Sequence, residues 1–262
     1  MSAFDKVSNQ YKDKSLVQKS AAAKLIELLK IQKAESVIDI ACGPGNITAQ
    51  IKKMTSGRVL GIDISSGMLS QAAKFHPEVE FRQAGVEDMN IDGEFDVAFC
   101  NSALQWFNKP DSAMASVYRC LKNGGRLGLA CPATSNWTPF FERMVSKVKE
   151  NTDIKPVFAH WKNPWFHLPV KADYGVFFAK HGFKTVFFEI VYEANYFAVE
   201  DAFGVYLSGA ANGYVGKQYY DIEVSDDFVN RFNACVKEEM LKEAKDGKVK
   251  VDFNRLYYVG VK

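Results

Sequence analysis

The amino-acid sequence predicts an α/β protein with a doubly wound, seven-stranded and mostly parallel β-sheet. A short β-branched strand at residues 37–40 runs into a turn that contains Gly43 and Gly45, and a helical pattern follows over about residues 47–54. Strand and helix patterns then alternate as far as residue 131. Strands that alternate with helices are typical of parallel sheets whose two faces are covered by helices.

The region before the first strand is predicted to end in a helix. Apolar residues keep helical spacing from about residue 17 to residue 31. Residues 1–15 are mostly polar and contain two aromatic residues, Phe4 and Tyr11. Two hypotheses for these aromatic residues stay open: they anchor the segment to the domain, or the segment folds over a ligand and Tyr11 contacts it.

The glycine turn predicts a nucleoside-binding site. Gly43 and Gly45 have no Cβ, so a ligand can lie against bare backbone, and the helix that follows offers free N–H donors. Asp63 ends the second predicted strand, where an acid can accept hydrogen bonds from both hydroxyls of a ribose. Thr48 stands where the dinucleotide fingerprint G-x-G-x-x-G has its third glycine, so a diphosphate ligand is disfavoured.

Three further segments are predicted to reach the same edge of the sheet. A helix capped by serines carries Met68, which either joins the core or offers an apolar face to the ligand. A third strand near residues 79–82 leads into the turn at residues 84–88. A fourth strand at residues 95–100 leads into Asn-Ser-Ala-Leu-Gln-Trp at residues 101–106. Open parallel sheets bind ligands at the carboxyl ends of their strands, so these segments are predicted to contribute to the site.

The second half of the sequence predicts a sheet interrupted by two insertions. A helix at about residues 111–121 precedes the fifth strand, which is followed by a segment with seven aromatic residues and five prolines. After a helix, the sixth strand and another irregular stretch, a seventh strand closes the chain. We expect the two insertions to pack together as a helical lid above the site. The predicted units are a core at 1–131, a lid segment at 132–172, core again at 173–198, a second lid segment at 199–250, and the last strand at 251–262.

Composition disfavours several classes of function. The net charge of +2 gives no reason to expect a nucleic-acid or membrane partner. Five cysteines without a C-x-x-C pair indicate reduced thiols and a cytoplasmic protein. No apolar run reaches 18 residues, and no signal-peptide core is expected. The four histidines have no metal-ligand spacing, and no G-x-S-x-G nucleophile motif is present, so metalloenzymes and hydrolases are not expected.

Residues 37–45 together with Asp63 resemble the first motif of class I S-adenosylmethionine-dependent methyltransferases. That motif is an acid, any residue and Gly-x-Gly-x-Gly, and Ala41 stands at its first glycine here. The resemblance implies a Rossmann-like fold and S-adenosylmethionine as cofactor. In this family the turn at residues 84–88 contacts adenine, usually through an acid where this chain has Gly85. Glu87 and Asp88 are alternative partners for the adenine amino group, or solvated carboxylates.

Two segments narrow the resemblance. The N-terminal segment from Phe4 is similar to malonyl-acyl-carrier-protein O-methyltransferases, and the Asn-x-x-x-Gln-Trp pattern at residues 101–106 is shared by these enzymes and trans-aconitate methyltransferases. The resemblance covers roughly residues 4–131 and implies the methylation of a carboxylate. It implies that the cofactor is lined by Gln18, Asp39, Ala41, Gly43, Gly45, Asp63, Ile64, Met68, Val86, Glu87 and Asn101. It also implies that the methyl group faces Gln105 and Trp106, with Tyr11 near the sulfonium.

An ionised carboxylate attacks a sulfonium methyl group without a general base, so orientation and exclusion of water can supply the catalysis. The carboxylate does need a cationic or donor partner when it is buried. Arg143 is our prediction for this partner. The other basic side chains of the first insertion that could serve are Lys147, His160, Lys162 and His167.

Several acceptors stay open. A malonyl group on an acyl carrier protein is the first expectation, with Lys147, Lys149, Lys155 and Lys162 as a basic patch for the acidic carrier. Trans-aconitate or another polycarboxylate, and an amine or phenol, are alternatives of the same reaction class. A cofactor-binding partner protein without catalysis is the alternative of another class. The sequence predicts no oligomeric state.

Overall fold

The computed structural model describes residues 16–262, with side chains from residue 19 onwards. Two predicted site residues are affected by these limits. Tyr11 lies outside the described residues, and the side chain of Gln18 does as well, although its backbone belongs to the first described helix. Their predicted roles near the cofactor stay predictions.

Seven strands form a mixed β-sheet. They are β1 (Val37–Ile40), β2 (Val59–Asp63), β3 (Glu80–Gln83), β4 (Phe95–Asn101), β5 (Leu121–Pro132), β6 (Lys184–Ala198) and β7 (Lys248–Val261). Their order across the sheet is β3-β2-β1-β4-β5-β7-β6. Strands β1 to β5 pair in parallel, and β7 is antiparallel to both β5 and β6. The strand order reverses between β1 and β4, which is where open α/β sheets bind ligands.

Helices lie between the strands, with longer helical stretches after β5 and β6. They are α1 (Leu16–Leu29), α2 (Asn46–Lys52), α3 (Ser66–Phe75), α4 (Pro110–Cys120), α5 (Pro139–Val148), α6 (Lys155–Phe158), α7 (Lys171–Lys180), α8 (Val199–Leu207), α9 (Ala210–Val215) and α10 (Asp226–Glu243). Short 3₁₀ turns span Val86–Asp88, Leu104–Trp106 and Lys217–Tyr219. None of the helices in the described part of the chain is long and apolar enough to cross a membrane.

Both faces of the central strands are buried. In β4, Ala98 and Cys100 belong to a hydrophobic cluster on one face, while Val97 and Phe99 belong to a cluster on the other face that includes residues of α1. Successive side chains of a strand point to opposite faces, so the residues of such a strand are mostly apolar. All four residues of β1 are buried, and the acid among them, Asp39, accepts a hydrogen bond from the Thr48 hydroxyl.

The two insertions share one hydrophobic cluster. It joins Phe141 of α5 and Tyr206 of α8 with Phe232 of α10, and it extends to Val249 and Val251 at the start of β7. The insertions therefore pack together, whereas their closing over a ligand stays a prediction. Strand β7 begins at Lys248, inside the segment predicted as the second insertion, because its first half belongs to this cluster.

Candidate active site

A cavity of about 270 Å³ lies at the carboxyl edge of the sheet, between the turns of the core and the two insertions. Ten of the predicted site residues line it: Ala41, Gly43, Asp63, Ile64, Met68, Val86, Glu87, Asn101, Gln105 and Trp106. A smaller cavity of about 80 Å³ adjoins it and shares Gly43 and Asn101 in its wall. The fold thus brings the turns after β1 to β4 to one place.

The turn between β1 and α2 has left-handed backbone at three positions: Ala41 (φ 57°), Gly43 (φ 54°) and Gly45 (φ 79°). A Cβ on Gly43 would meet no atom within 4 Å, and this residue faces both cavities. A Cβ on Gly45 would lie 2.6 Å from Cζ of Phe81. The two positions therefore require glycine for different reasons. Gly43 leaves room beside the cavity, whereas Gly45 lets α2 pack against β3.

The carboxylate of Asp63 is fixed by backbone donors. Its Oδ2 accepts from the Gly43 N–H at 2.8 Å, and its Oδ1 accepts from the Ser65 N–H at 2.8 Å. The Ser65 side chain in turn caps α3 by accepting from the Met68 N–H. Each carboxylate oxygen can accept more than one hydrogen bond, so Asp63 can still accept from a pair of ligand hydroxyls.

Asp39 lies on the smaller cavity and is buried. The Thr48 hydroxyl donates to its Oδ2 at 2.6 Å. The pKa of Asp39 is raised to about 7, mainly by burial and also by the nearby charge of Asp63, while the Thr48 hydrogen bond acts in the opposite direction. A cationic group in the smaller cavity would favour the ionised form of this carboxyl.

An apolar patch lies beside Asp63. Ile64 is 64% exposed although it is a large aliphatic residue, while Met68 and Val86 are buried next to the same cavity. This arrangement suits the flat face of a nucleobase. At the rim, Glu87 accepts from the Lys109 backbone N–H at 2.8 Å, and Asp88 also lines the cavity. Either carboxylate can serve the adenine amino group, as the sequence left open.

The Asn-x-x-x-Gln-Trp segment connects the core to the first insertion. The Gln105 amide Nε2 donates to the Ser102 carbonyl at 2.8 Å, and its buried Oε1 has no hydrogen-bond partner among the described residues. The Gln105 backbone carbonyl accepts from the Phe166 N–H at 2.9 Å. The Trp106 ring meets Trp165 edge to face at 5.9 Å. This segment therefore forms a wall that both the core and the insertion hold.

The far wall of the cavity is mostly aromatic and contains one side chain that sequence reasoning missed. Trp137, Phe141 and Phe253 line this wall together with Arg255. Arg255 is only 2% exposed, and its Nε donates to Glu193 at 3.2 Å. The signal was present in the sequence as a lone arginine within the apolar strand at residues 255–261, where we predicted a strand but no role for the charge.

Comparison with known proteins identifies part of the chain. A family model described as a methyltransferase domain matches residues 37–125. Residues 37–125 are thus similar in sequence to a methyltransferase domain. This match contains β1 to β4 and every predicted site residue from Asp39 to Trp106. Arg255 and both insertions lie outside it.

Relatives of the methyltransferase domain bear out the resemblance drawn from the motifs. The chain is 35% identical over 112 residues to trans-aconitate 2-methyltransferase of Methylobacterium nodulans, covering 42% of this chain and 43% of that protein. It is 32% identical over 124 residues to malonyl-[acyl-carrier protein] O-methyltransferase of Salmonella typhimurium, covering 47% of this chain and 49% of that protein. The matches thus span about half the length of these relatives or less.

A solved structure confirms the fold over a longer stretch. A candidate methyltransferase from Bacillus halodurans C-125 superposes with a TM-score of 0.62 at 20% identity, covering 93% of this chain and 99% of that chain. The predicted fold class, an α/β protein with a mostly parallel seven-stranded sheet, is therefore confirmed. The similarity of fold extends beyond residues 37–125, since the superposition covers 93% of this chain.

The basic residues predicted to bind an acceptor carboxylate lie away from the larger cavity. Arg143 and Lys147 pair with Glu243 at 3.2 and 2.8 Å on the protein surface. His160 and Lys162 pair with Asp221. His167 stacks on Trp137, and burial lowers its pKa to about 4, so it is neutral near pH 7. The structure brings none of these five to the wall of the described cavity.

The described residues contain no group of three or more His, Cys, Asp or Glu side chains that could hold a metal ion. The five cysteines, all within the described range, are unpaired thiols, and four of them are buried. Burial raises the pKa of Cys131, which is near Arg255, to about 12.

Proposed function

We propose that this chain is an S-adenosylmethionine-dependent methyltransferase that acts on a carboxylate oxygen. The observation that carries the proposal is the fixed Asp63 carboxylate, placed in one cavity with Gly43 and the exposed face of Ile64. An acid held by two backbone N–H groups binds the two ribose hydroxyls. The aliphatic face beside it binds adenine, and Asp39 in the adjoining cavity stabilises the cationic amino group of the methionine part.

The protein's contribution to the reaction is orientation and exclusion of water. The cofactor, when bound, supplies an electrophilic methyl group on a sulfonium sulfur. Gln105 fixes the 3₁₀ turn that follows β4, and Trp106 and Trp137 close the side of the cavity toward the insertions. Placement of two reactants in an aligned geometry can lower the activation free energy by about 7–11 kcal/mol. A carboxylate acceptor is already ionised near pH 7, so the reaction needs no base from the protein.

The charge of the cavity supports a carboxylate over an amine or a phenol. Arg255 is the basic side chain among the described lining residues, and the acids Asp63, Glu87 and Asp88 lie on the nucleoside side. An amine or a phenol would have to lose a proton, and among the described residues the aromatic wall that the insertions form contains no carboxylate or histidine to take it. One arginine suits an acceptor with one buried carboxylate better than a polycarboxylate such as trans-aconitate.

The surface charges give less support to an acyl carrier protein as the carrier of the acceptor than the cavity gives to a carboxylate acceptor. Of the four predicted docking lysines, Lys147 pairs with Glu243, Lys155 with Glu150 and Lys162 with Asp221. These carboxylates reduce the net positive charge that an acidic carrier would meet. A small free carboxylate is therefore the second candidate acceptor, and the experiment must contain both kinds.

The test is transfer of labelled methyl from S-adenosylmethionine to malonyl-acyl carrier protein, trans-aconitate and free malonate in parallel. A carboxylate product is a methyl ester, so the label is expected to be released by mild base. Label that resists base would contradict carboxylate methylation and would favour an amine acceptor. Cofactor binding without transfer to any acceptor in a broad panel would favour the non-catalytic binding protein.

A further inference from the structure

Arg255 has hydrogen-bonding capacity that the described protein does not use. A guanidinium group carries five N–H donors, and the hydrogen bond that this one makes to a described residue is the Nε bond to Glu193. Its Nη1 is buried and has no partner among the described residues. A buried donor without a partner is costly, and a charged one more so. Such a group at the wall of a cavity is typical of a binding site for an anion.

Glu193 cannot satisfy the guanidinium by itself. Its Oε2 accepts from Nε of Arg255 at 3.2 Å, while its Oε1 accepts from the Tyr257 hydroxyl at 2.7 Å. The two oxygens of this carboxylate are thus divided between two donors instead of forming a bidentate pair with the arginine. The buried Nη1 of Arg255 remains for a second carboxylate, and the planar guanidinium suits such a partner.

The position of Arg255 in the sheet separates it from the nucleoside side of the cavity. It pairs with Pro132 at the end of β5. Asp63 ends β2, and four inter-strand steps separate β2 from β7. At ~4.8 Å per step the two strands are about 19 Å apart across the sheet. Arg255 is therefore placed to contact the methyl acceptor and lies too far from Asp63 to contact the ribose of the cofactor.

We infer that Arg255 is the anchor for a carboxylate of the methyl acceptor, and that Glu193 and Tyr257 hold its guanidinium in position. This inference rests on the proposed function and makes it more specific, since it names the residue that selects an anionic acceptor. Arg255 contacts the substrate in this proposal. Glu193 acts through Arg255 and is a positioning residue.

The first test compares Arg255→Gln with wild type and with Arg82→Gln, which removes an exposed arginine that pairs with Glu80 on β3. For whichever carboxylate acceptor is methylated, we expect kcat/KM of Arg255→Gln to fall roughly 100-fold, mainly through KM. Arg255→Lys is expected to lose roughly 10-fold, because an ammonium keeps the charge without the planar fork. S-adenosylmethionine affinity should change less than about twofold in all three variants, since Asp63 and Gly43 are intact.

A binding measurement keeps the inference testable without turnover. Malonate and its neutral analogue malonamide are titrated by calorimetry into the protein saturated with S-adenosylhomocysteine. Wild type and Arg82→Gln are expected to bind malonate and not malonamide, and Arg255→Gln to bind neither. Equal malonate affinity in wild type and folded Arg255→Gln would overturn the inference, and so would an unchanged acceptor kcat/KM.

Two further measurements separate this inference from other failures. If Arg255→Gln does not fold, Arg255→Lys and Glu193→Gln carry the test. Glu193→Gln keeps the arginine but weakens its hold, so acceptor KM should rise several-fold with cofactor affinity unchanged. If the protein binds no S-adenosylmethionine, the proposed function fails. In that case malonate titration into ligand-free protein still decides whether Arg255 binds a carboxylate.

Discussion

The two walls of the cavity are built in different ways. The wall on the nucleoside side comes from the turns that directly follow β1, β2 and β3, all within residues 37–88. The opposite wall combines residues from Trp137 to Arg255, drawn from α8, from β7 and from the stretches around α5 and α7. The first wall depends on local backbone geometry, whereas the second depends on long-range packing. A motif can therefore specify the first wall, but only the folded chain specifies the second.

The largest expected effect is the difference in stability between alanine variants at the two glycines of the turn after β1. Gly45→Ala places a Cβ 2.6 Å from Phe81 Cζ at a positive φ, so we expect a loss of about 3 kcal/mol in the free energy of unfolding. Gly43→Ala has no such clash and should cost about 1 kcal/mol. Urea denaturation of both variants checks this difference.

The same pair should reverse its order in ligand binding. The Cβ of Gly43→Ala enters the space beside the cavity, so we expect a loss of cofactor affinity of tenfold or more while the fold is retained. Cofactor affinity is measured by calorimetry at a temperature where both variants are folded. Equal stability of the two variants would contradict the division of roles between these glycines.

Asp63→Asn tests whether the first wall binds a ribose. The amide keeps the size of the side chain but removes the charge and one acceptor, and a hydrogen bond to a charged group contributes about 1.5–3 kcal/mol. We expect S-adenosylmethionine affinity to fall roughly 100-fold. Asp92→Asn, at an exposed acid between β3 and β4, is the matched control and should bind normally. A similar affinity in both variants would contradict the proposed role of Asp63.

The pH dependence of stability tests the environment of Asp39. Its pKa is about 7 in the folded protein and near the ordinary 3.8 in the unfolded chain. Between these values the folded state keeps a proton that the unfolded state has lost, so stability falls as pH rises. From pH 5 to 7 we expect wild type without ligand to lose about 2 kcal/mol relative to Asp39→Asn. Parallel curves for the two proteins would show that Asp39 is ionised normally.

The smallest expected effect is on the stability of a variant at Ala41, which stands at the first glycine of the family motif. Ala41 has a φ of 57°, which costs an L-residue about 1–2 kcal/mol, and a glycine there removes the strain but adds entropy to the unfolded chain. Ala41→Gly should therefore be more stable than wild type by about 0.5 kcal/mol. Thermal denaturation checks this gain. A decrease in the melting temperature would contradict the reading of Ala41 as a strained position.

The sequence permitted prediction of the first wall because its signals are local. The strand pattern, the glycine turn and the position of Asp63 lie within a few residues of one another, and the predicted contacts of Asp63 depend on the chain directly around it. Seven of the ten predicted residues that line the cavity accordingly belong to this wall. The start of β7 also has a local signal, since apolar residues alternate with lysines at residues 248–251, which is typical of a strand.

The cation of the second wall was not predictable in the same way. Arg143 looked available in the sequence, but its partner Glu243 is 100 residues further along the chain. The role of Arg255 depends on its register with Pro132 and on the division of the Glu193 carboxylate, and neither appears in a local pattern. The sequence separates these partners by dozens of residues, so only the fold shows which arginine lies at the cavity.

The register between β5 and β7 fixes the position of the positive charge on the second wall. Arg255 sits on a strand that is hydrogen-bonded on both sides, to β5 and to β6, so its charge does not move with the helices of the insertions. The distance from this charge to the nucleoside turns is set by the sheet itself. In the proposed role of Arg255, the acceptor carboxylate is therefore held at one distance from the methyl donor, whatever the conformation of the insertions.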